Sequence, residues 1–138
     1  MSDHDAILFA NAAFYAAFTS RDISAMDKVW AKDRPVSCIH PGRAVVKGRD
    51  AVMRSWSAIL GNPEALRVSC HADNVNTYGD VAVVTCIEKV GLGTGVQYLV
   101  ATNLFARAGS VWVMVHHQAG GAQIDPASLK AEEKAQLN

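Results

Sequence analysis

His40 is the first residue to which chemistry can be assigned. It ends a β-rich run over residues 36–40. Pro41-Gly42 then turns the chain, Ala44-Val45-Val46 forms a second β-rich run, and Gly48-Arg49-Asp50 opens a helix carrying Trp56. A titratable imidazole at a strand end, beside a forced turn and a returning helix, suits a pocket acid or base, because histidine moves protons near neutral pH. The same placement also suits a histidine whose nitrogens merely cap the turn.

His116 and His117 are adjacent in a β-rich run, so alternation sends them to opposite faces and one simple strand cannot aim both at one metal ion. Strict alternation groups Val113, Val115 and His117 on one face, and Trp112, Met114, His116 and Gln118 on the other. Asn103, in ATNLF, shares parity with Leu99, Ala101 and Phe105 and is expected to face inward, either toward a pocket or to bond backbone at a bulge. Glu88 goes with Val84 and Cys86 by parity. We read it as a solvated or interface carboxylate, with pairing to His116 as the alternative. Trp30, Trp56 and Tyr15 are candidates for the pocket mouth, although large aromatics at helical spacing are commonly core.

Other constellations are weaker. None of the five histidines shows i, i+4 helical spacing, and no carboxylate is placed to complete a site with His40 and His117, so no metal is expected. GLGTG at residues 91–95 lacks the Lys-Ser/Thr and helix of a phosphate loop and reads as a hairpin turn. No cofactor is expected. Cys38, Cys70 and Cys86 are odd in number and irregular in spacing. They read as buried, reduced thiols of a cytoplasmic protein.

The elements that must position these residues follow from periodicity. Residues 6–18 form a helix apolar around most of its girth, with Asp3 or Asp5 as cap. A shorter helix over 25–31 carries Met26, Val29 and Trp30, and a third runs over about 49–60 until Gly61-Asn62-Pro63 stops it. Residues 66–75, 81–90, 97–106 and 111–119 are rich in Val, Ile, Thr and aromatics. Short glycine-containing separators make them consecutive antiparallel hairpins. Residues 126–136 form a charged helix or a frayed end. Helices followed by a meander give an α+β order, with helices on one sheet face and the other left for solvent or a partner.

The 138 residues fit one domain able to bury its own core. Lys plus Arg and Asp plus Glu number 13 each, which argues against a nucleic-acid or acidic-membrane surface and favours self-association. No run of about 18 apolar residues is present, so no membrane span is expected. The MSDHDA start is unlike a signal peptide.

The motifs AFYAAFTSRD, VWAKD, IHPGRAVVKGRDAV, SW and WVMVHHQAG, in this order, resemble the SnoaL-like branch of the NTF2-like superfamily. The resemblance covers residues 6–121, nearly the whole of a single 1–138 domain, with 122–138 as a tail. It implies a cone-shaped fold: three N-terminal helices in the concave face of a curved, mostly antiparallel sheet, a pocket inside, and a homodimer through the outer sheet face. The superfamily spans isomerases, cyclases, dehydratases, hydrolases and non-enzymatic domains, so fold does not give function. In the ketosteroid isomerase relatives an aspartate base precedes a proline at the end of the equivalent strand, where this chain has His40. The relatives' helix tyrosine falls on Phe14, with Tyr15 one residue off and expected to point elsewhere. Their strand aspartate falls near Ala101. Without these oxyanion donors, steroid isomerisation is not expected. The resemblance also implies that His117 faces the pocket, that His116 and Trp112 face outward, and that Trp30 lines the cavity.

Three functions follow as expectations. The first is a small-molecule-binding domain with an apolar pocket bearing His40, Asn103 and His117. The second is an isomerase, cyclase or dehydratase using His40 as proton shuttle and His117 or Asn103 as polariser. The third is a structural dimerisation module, which would follow if Phe14, Trp30 and Trp56 filled the pocket.

Overall fold

The computed structural model describes residues 1–64 and 66–137, so the last residue of the expected 1–138 span lies outside the described residues. The elements are α1 (Asp3–Thr19), α2 (Ile23–Val29), β1 (Ser37–Ile39), β2 (Val46–Lys47), α3 (Arg49–Leu60), β3 (Arg67–Tyr78), β4 (Val81–Leu92), β5 (Gly95–Ala108), β6 (Val111–Gly121) and α4 (Pro126–Leu137). They build one curved six-stranded sheet in the order β2-β1-β6-β5-β4-β3. β1 runs parallel to β6, and every other pairing is antiparallel.

Ser2, rather than Asp3 or Asp5, caps α1 by accepting the Asp5 N–H, while both aspartates favour the positive end of the helix dipole. Asp22 caps α2 through the Ala25 N–H. That helix ends at Val29, so Trp30 lies just beyond it, bridged to Met114 of β6. Gly48 precedes α3 at φ 86°, a conformation that a side chain would strain. Residues 126–137, open between helix and frayed end in the sequence, form α4. It lies on the outer side of β3, with His71 and Glu133 2.6 Å apart.

One β-bulge determines which β6 residues face the core. Leu104 pairs with His116 and Phe105 with Met114, so Val115 is the extra residue. Trp112, Met114, His117 and Ala119 are consequently all buried. Strict alternation had put Trp112 and Met114 outside. The bulge reverses that assignment and leaves His117 inside.

Phe14, Trp30, Trp56, Phe105, Met26 and Met114 form the fully buried centre. Burying side chains of this size stabilises by about 2–3 kcal/mol each against exposure, before conformational entropy is charged.

Candidate functional site

The buried stripe of α1 contains Ile7, Asn11, Phe14 and Tyr15, so it carries two polar groups against the inner sheet face. Opposite it, the register Cys38↔His117↔Asn103↔Val84 sets one row across β1, β6, β5 and β4. A second row is Ala119↔Ala101↔Cys86, and a third holds Leu99, Glu88 and Cys70. Ala101 and Ala119 are small enough to let Glu88 and His117 approach across the middle row.

Asn103 is the hub. Its Nδ2 donates to Asn11 Oδ1 at 2.9 Å and to the Tyr15 hydroxyl oxygen at 3.1 Å. Its Oδ1 lies 2.5 Å from His117 Nδ1. Both amide hydrogens being committed, Oδ1 must accept, so His117 carries its proton on Nδ1 and leaves Nε2 as an acceptor. The Tyr15 hydroxyl donates to Glu88 Oε2 at 2.7 Å and lies 3.1 Å from Cys86 Sγ. Asn11 Nδ2 points to Cys70 Sγ at 3.6 Å. Asn11, Tyr15, Glu88, Asn103 and His117 are at most 5% exposed. The expectation that Tyr15 points elsewhere is therefore corrected, since its hydroxyl closes the network. Glu88 is likewise neither solvated nor paired with His116. It is buried, because its strand parity faces α1.

Burial disfavours charge throughout this network. Burial pushes Glu88 up to about 7 despite the Tyr15 hydrogen bond. Burial, then His40 and His116, pushes His117 down to about 3. Burial and the nearby Glu88 carboxylate raise the Tyr15 hydroxyl far above its ordinary range. Cys38, in the His117 row, is raised to about 12 by burial and by Glu88.

His40 sits just past β1, 7% exposed. The Ser55 hydroxyl donates to the Val52 carbonyl at 2.6 Å, so at 2.9 Å it accepts the His40 Nε2 proton. Burial and Arg43 lower the His40 pKa, favouring neutral imidazole. The Trp56 ring lies edge-on to His40 at 5.0 Å and tilted to His117 at 5.9 Å between ring centroids. Phe14 is 4.8 Å from His117. Trp56 thus has both histidines as ring neighbours, and His40 makes its polar contacts with Ser55 and Cys38 rather than with the Asn103 network.

Trp30 is 1% exposed and Trp56 fully buried, and both indole Nε1 atoms are buried without a hydrogen-bond partner. Buried donors are rarely left unpaired. Arg49 is tied to the Trp30 and Ala31 carbonyls and to Asp27, which holds the end of α2 against α3. His116 lies on the opposite face, its Nδ1 2.7 Å from the Ser37 hydroxyl.

Sequence reasoning missed Asn11 and the buried role of Glu88. Asn11 stands four residues from both Ile7 and Tyr15, in the middle of a buried stripe, and that spacing is the signal that could have found it.

A six-stranded sheet enclosing α1 and α3, with a polar cluster on its inner face, defines the NTF2-like class. The SnoaL-like domain model matches residues 7–122, and the chain belongs to that family. A solved Streptomyces avermitilis protein of the NTF2-like family, provisionally called a dehydratase, is 33% identical with a TM-score of 0.79, covering 87% of this chain and 96% of that one. A Thiobacillus denitrificans structure, provisionally called a calcium/calmodulin-dependent protein kinase type II association domain, is 34% identical with a TM-score of 0.75, covering 83% and 93%. The F-box protein SKIP8 of Arabidopsis thaliana is 28% identical over 120 residues, 87% of this chain and 51% of that protein. The chain thus spans about half the length of this curated relative.

Proposed function

We propose that this SnoaL-like domain binds a small, uncharged and largely apolar molecule in its interior. His40, Asn103 and His117 would supply the polar contacts, and Trp30, Trp56 and Tyr15 the walls. The observation that carries the reading is the buried Asn11–Asn103–His117 and Tyr15–Glu88 network. Five polar side chains in an apolar core cost several kcal/mol to desolvate, and their hydrogen bonds only partly offset this. The unpaired indole N–H groups of Trp30 and Trp56 support the same reading, since a ligand with an acceptor oxygen would satisfy such donors. An anionic ligand fits poorly, because His40 and His117 both favour the neutral form.

A second reading is acid–base chemistry of the isomerase, cyclase or dehydratase kind. It is favoured by His117 Nε2 standing 3.9 Å from Glu88 Oε2, with Glu88 titrating near neutral pH. His40 as proton shuttle would require release from Ser55. The third reading, a structural dimerisation module, is favoured by the complete burial of Phe14, Trp30 and Trp56.

Self-association through the outer sheet face belongs to the same proposal. Val100 and Val96 are exposed on β5, and one relative of the same fold, at 21% identity, is the S. rosetta CaMKII hub. No described helix is long and apolar enough to cross a membrane. A cytoplasmic setting without nucleic-acid partners is proposed from the reduced cysteines and balanced charge.

The test is a titration of the protein with a panel of hydrophobic carbonyl compounds, followed by amide NMR shifts and assayed for turnover, in wild type and His40→Ala. Saturable shifts around His117 support binding. Turnover that is unchanged in His40→Ala removes His40 as a catalyst. Shifts without any turnover favour the binding reading over the enzymatic one.

A further inference from the structure

Two of the three free thiols meet on neighbouring strands. Cys70 pairs across the β3–β4 ladder with Glu88, so Cys86 lies two residues back along β4. The cross-strand place of Cys86 is taken by a bulge between His71 and Asn74, where Ala72 adopts φ 53°. A bulge bends the strand and sharpens its local twist. Cys70 and Cys86 stand on the inner face of the sheet, diagonal to one another across the β3–β4 ladder. Each also takes one contact from α1, Cys70 from Asn11 and Cys86 from Tyr15, residues one helical turn apart. Cys70 is half-buried and Cys86 is 5% exposed, so an oxidant meets Cys70 first. Cys38 is fully buried on β1, separated from β4 by two strands of the sheet.

We propose that Cys70 and Cys86 form an oxidative modification site, converted by a peroxide to a disulfide that ties β3 to β4 beneath the Tyr15–Glu88 contact. The Cys70 sulfur attacks the peroxide O–O bond, an S–O bond forms, and the departing oxygen leaves as water. The Cys86 sulfur then attacks the Cys70 sulfur, the S–S bond forms, the S–O bond breaks, and a second water leaves with the Cys86 proton. Two S–H groups and one peroxide thus give one disulfide and two waters. The contact with Cys86, burial and the nearby Asp73 all hold the Cys70 thiol above its ordinary range, against a small lowering by Asn11. Tyr15 and Glu88 complete the titratable surroundings. The thiolate is the nucleophile, so the reaction is slow at neutral pH and accelerates in alkali. It does not depend on the interior binding a ligand.

The test treats the reduced full-length chain with hydrogen peroxide at neutral and alkaline pH, alkylates the remaining thiols, and maps the products by intact mass and peptide mass spectrometry. The expected product has lost two hydrogens, contains a Cys70–Cys86 linked peptide, leaves one alkylated thiol at Cys38, and forms about tenfold faster per pH unit. Cys38→Ser should behave as wild type, while Cys70→Ser and Cys86→Ser should each abolish the linked peptide. Should the Cys86 variant fold poorly, the wild-type peptide map decides. Three alkylated thiols after peroxide, a bond through Cys38, or bonds only between chains would overturn the assignment.

Discussion

His117 Nε2 stands 3.9 Å from Glu88 Oε2, each residue 2% exposed, and the two are not an ion pair. Distance alone would permit one. Burial drives both groups toward neutrality, and His117 gains no stabilisation of its charged form from Glu88. In the unfolded chain near pH 5.5 the histidine holds the proton. In the folded protein the glutamic acid holds it.

This transfer sets a stability profile. The Glu88 carboxyl is raised from 4.5 to about 7, so its contribution is lost as pH rises through that window. The His117 pKa falls from 6.5 to about 3, so its contribution is lost as pH falls through that window. Between 4.5 and 6.5 the two slopes cancel, because folded and unfolded states bind one proton each. Glu88→Gln removes one slope. Relative to wild type, its unfolding free energy should grow by about 1.4 kcal/mol per pH unit from 4.5 to 7, reaching about 3 kcal/mol. Urea unfolding of both proteins across this range checks it. A pH-independent difference would show that Glu88 titrates normally.

Asn103 satisfies three partners at once, so its removal should cost more than one hydrogen bond. Asn103→Ala strands His117 Nδ1 and Asn11 Oδ1 in the interior and takes one donor from the Tyr15 hydroxyl, which keeps its bond to Glu88. A loss of about 2–4 kcal/mol is expected in denaturant unfolding. A loss below about 1 kcal/mol would mean that the network repairs itself.

Deleting Val115 should be tolerated, because it is the unpaired residue of the bulge. Without it, His116 still pairs with Leu104 and Met114 with Phe105, so plain alternation keeps Trp112, Met114 and His117 on the inner face. The deletion should keep a cooperative unfolding transition, and Val115→Ala should cost about 1 kcal/mol. Loss of cooperative unfolding in the deletion would contradict the role given to the bulge.

The same bulge explains what was legible in the sequence. The three N-terminal helices, the HPG turn and the four-strand meander were readable because each rests on local periodicity and turn chemistry. His117 and Asn103 were placed inward correctly. Trp112 and Met114 were not, because a single inserted residue reverses parity and leaves no mark in VWVMVHH. Tyr15 was misjudged by counting alignment positions. The buried stripe of α1 is wide enough to take both Phe14 and Tyr15. Glu88 was judged by the usual exposure of carboxylates, a prior that a strand facing a polar helix overrides.

The most direct measurement is the binding of apolar ketones to the interior, read by NMR at the Trp30 and Trp56 indole N–H resonances. The account predicts saturable downfield shifts of at least one indole proton as it gains an acceptor, accompanied by shifts at His117 and weakened in Asn103→Ala. Unmoved indole and His117 resonances across the panel would contradict an interior ligand site and leave the domain as an assembly module.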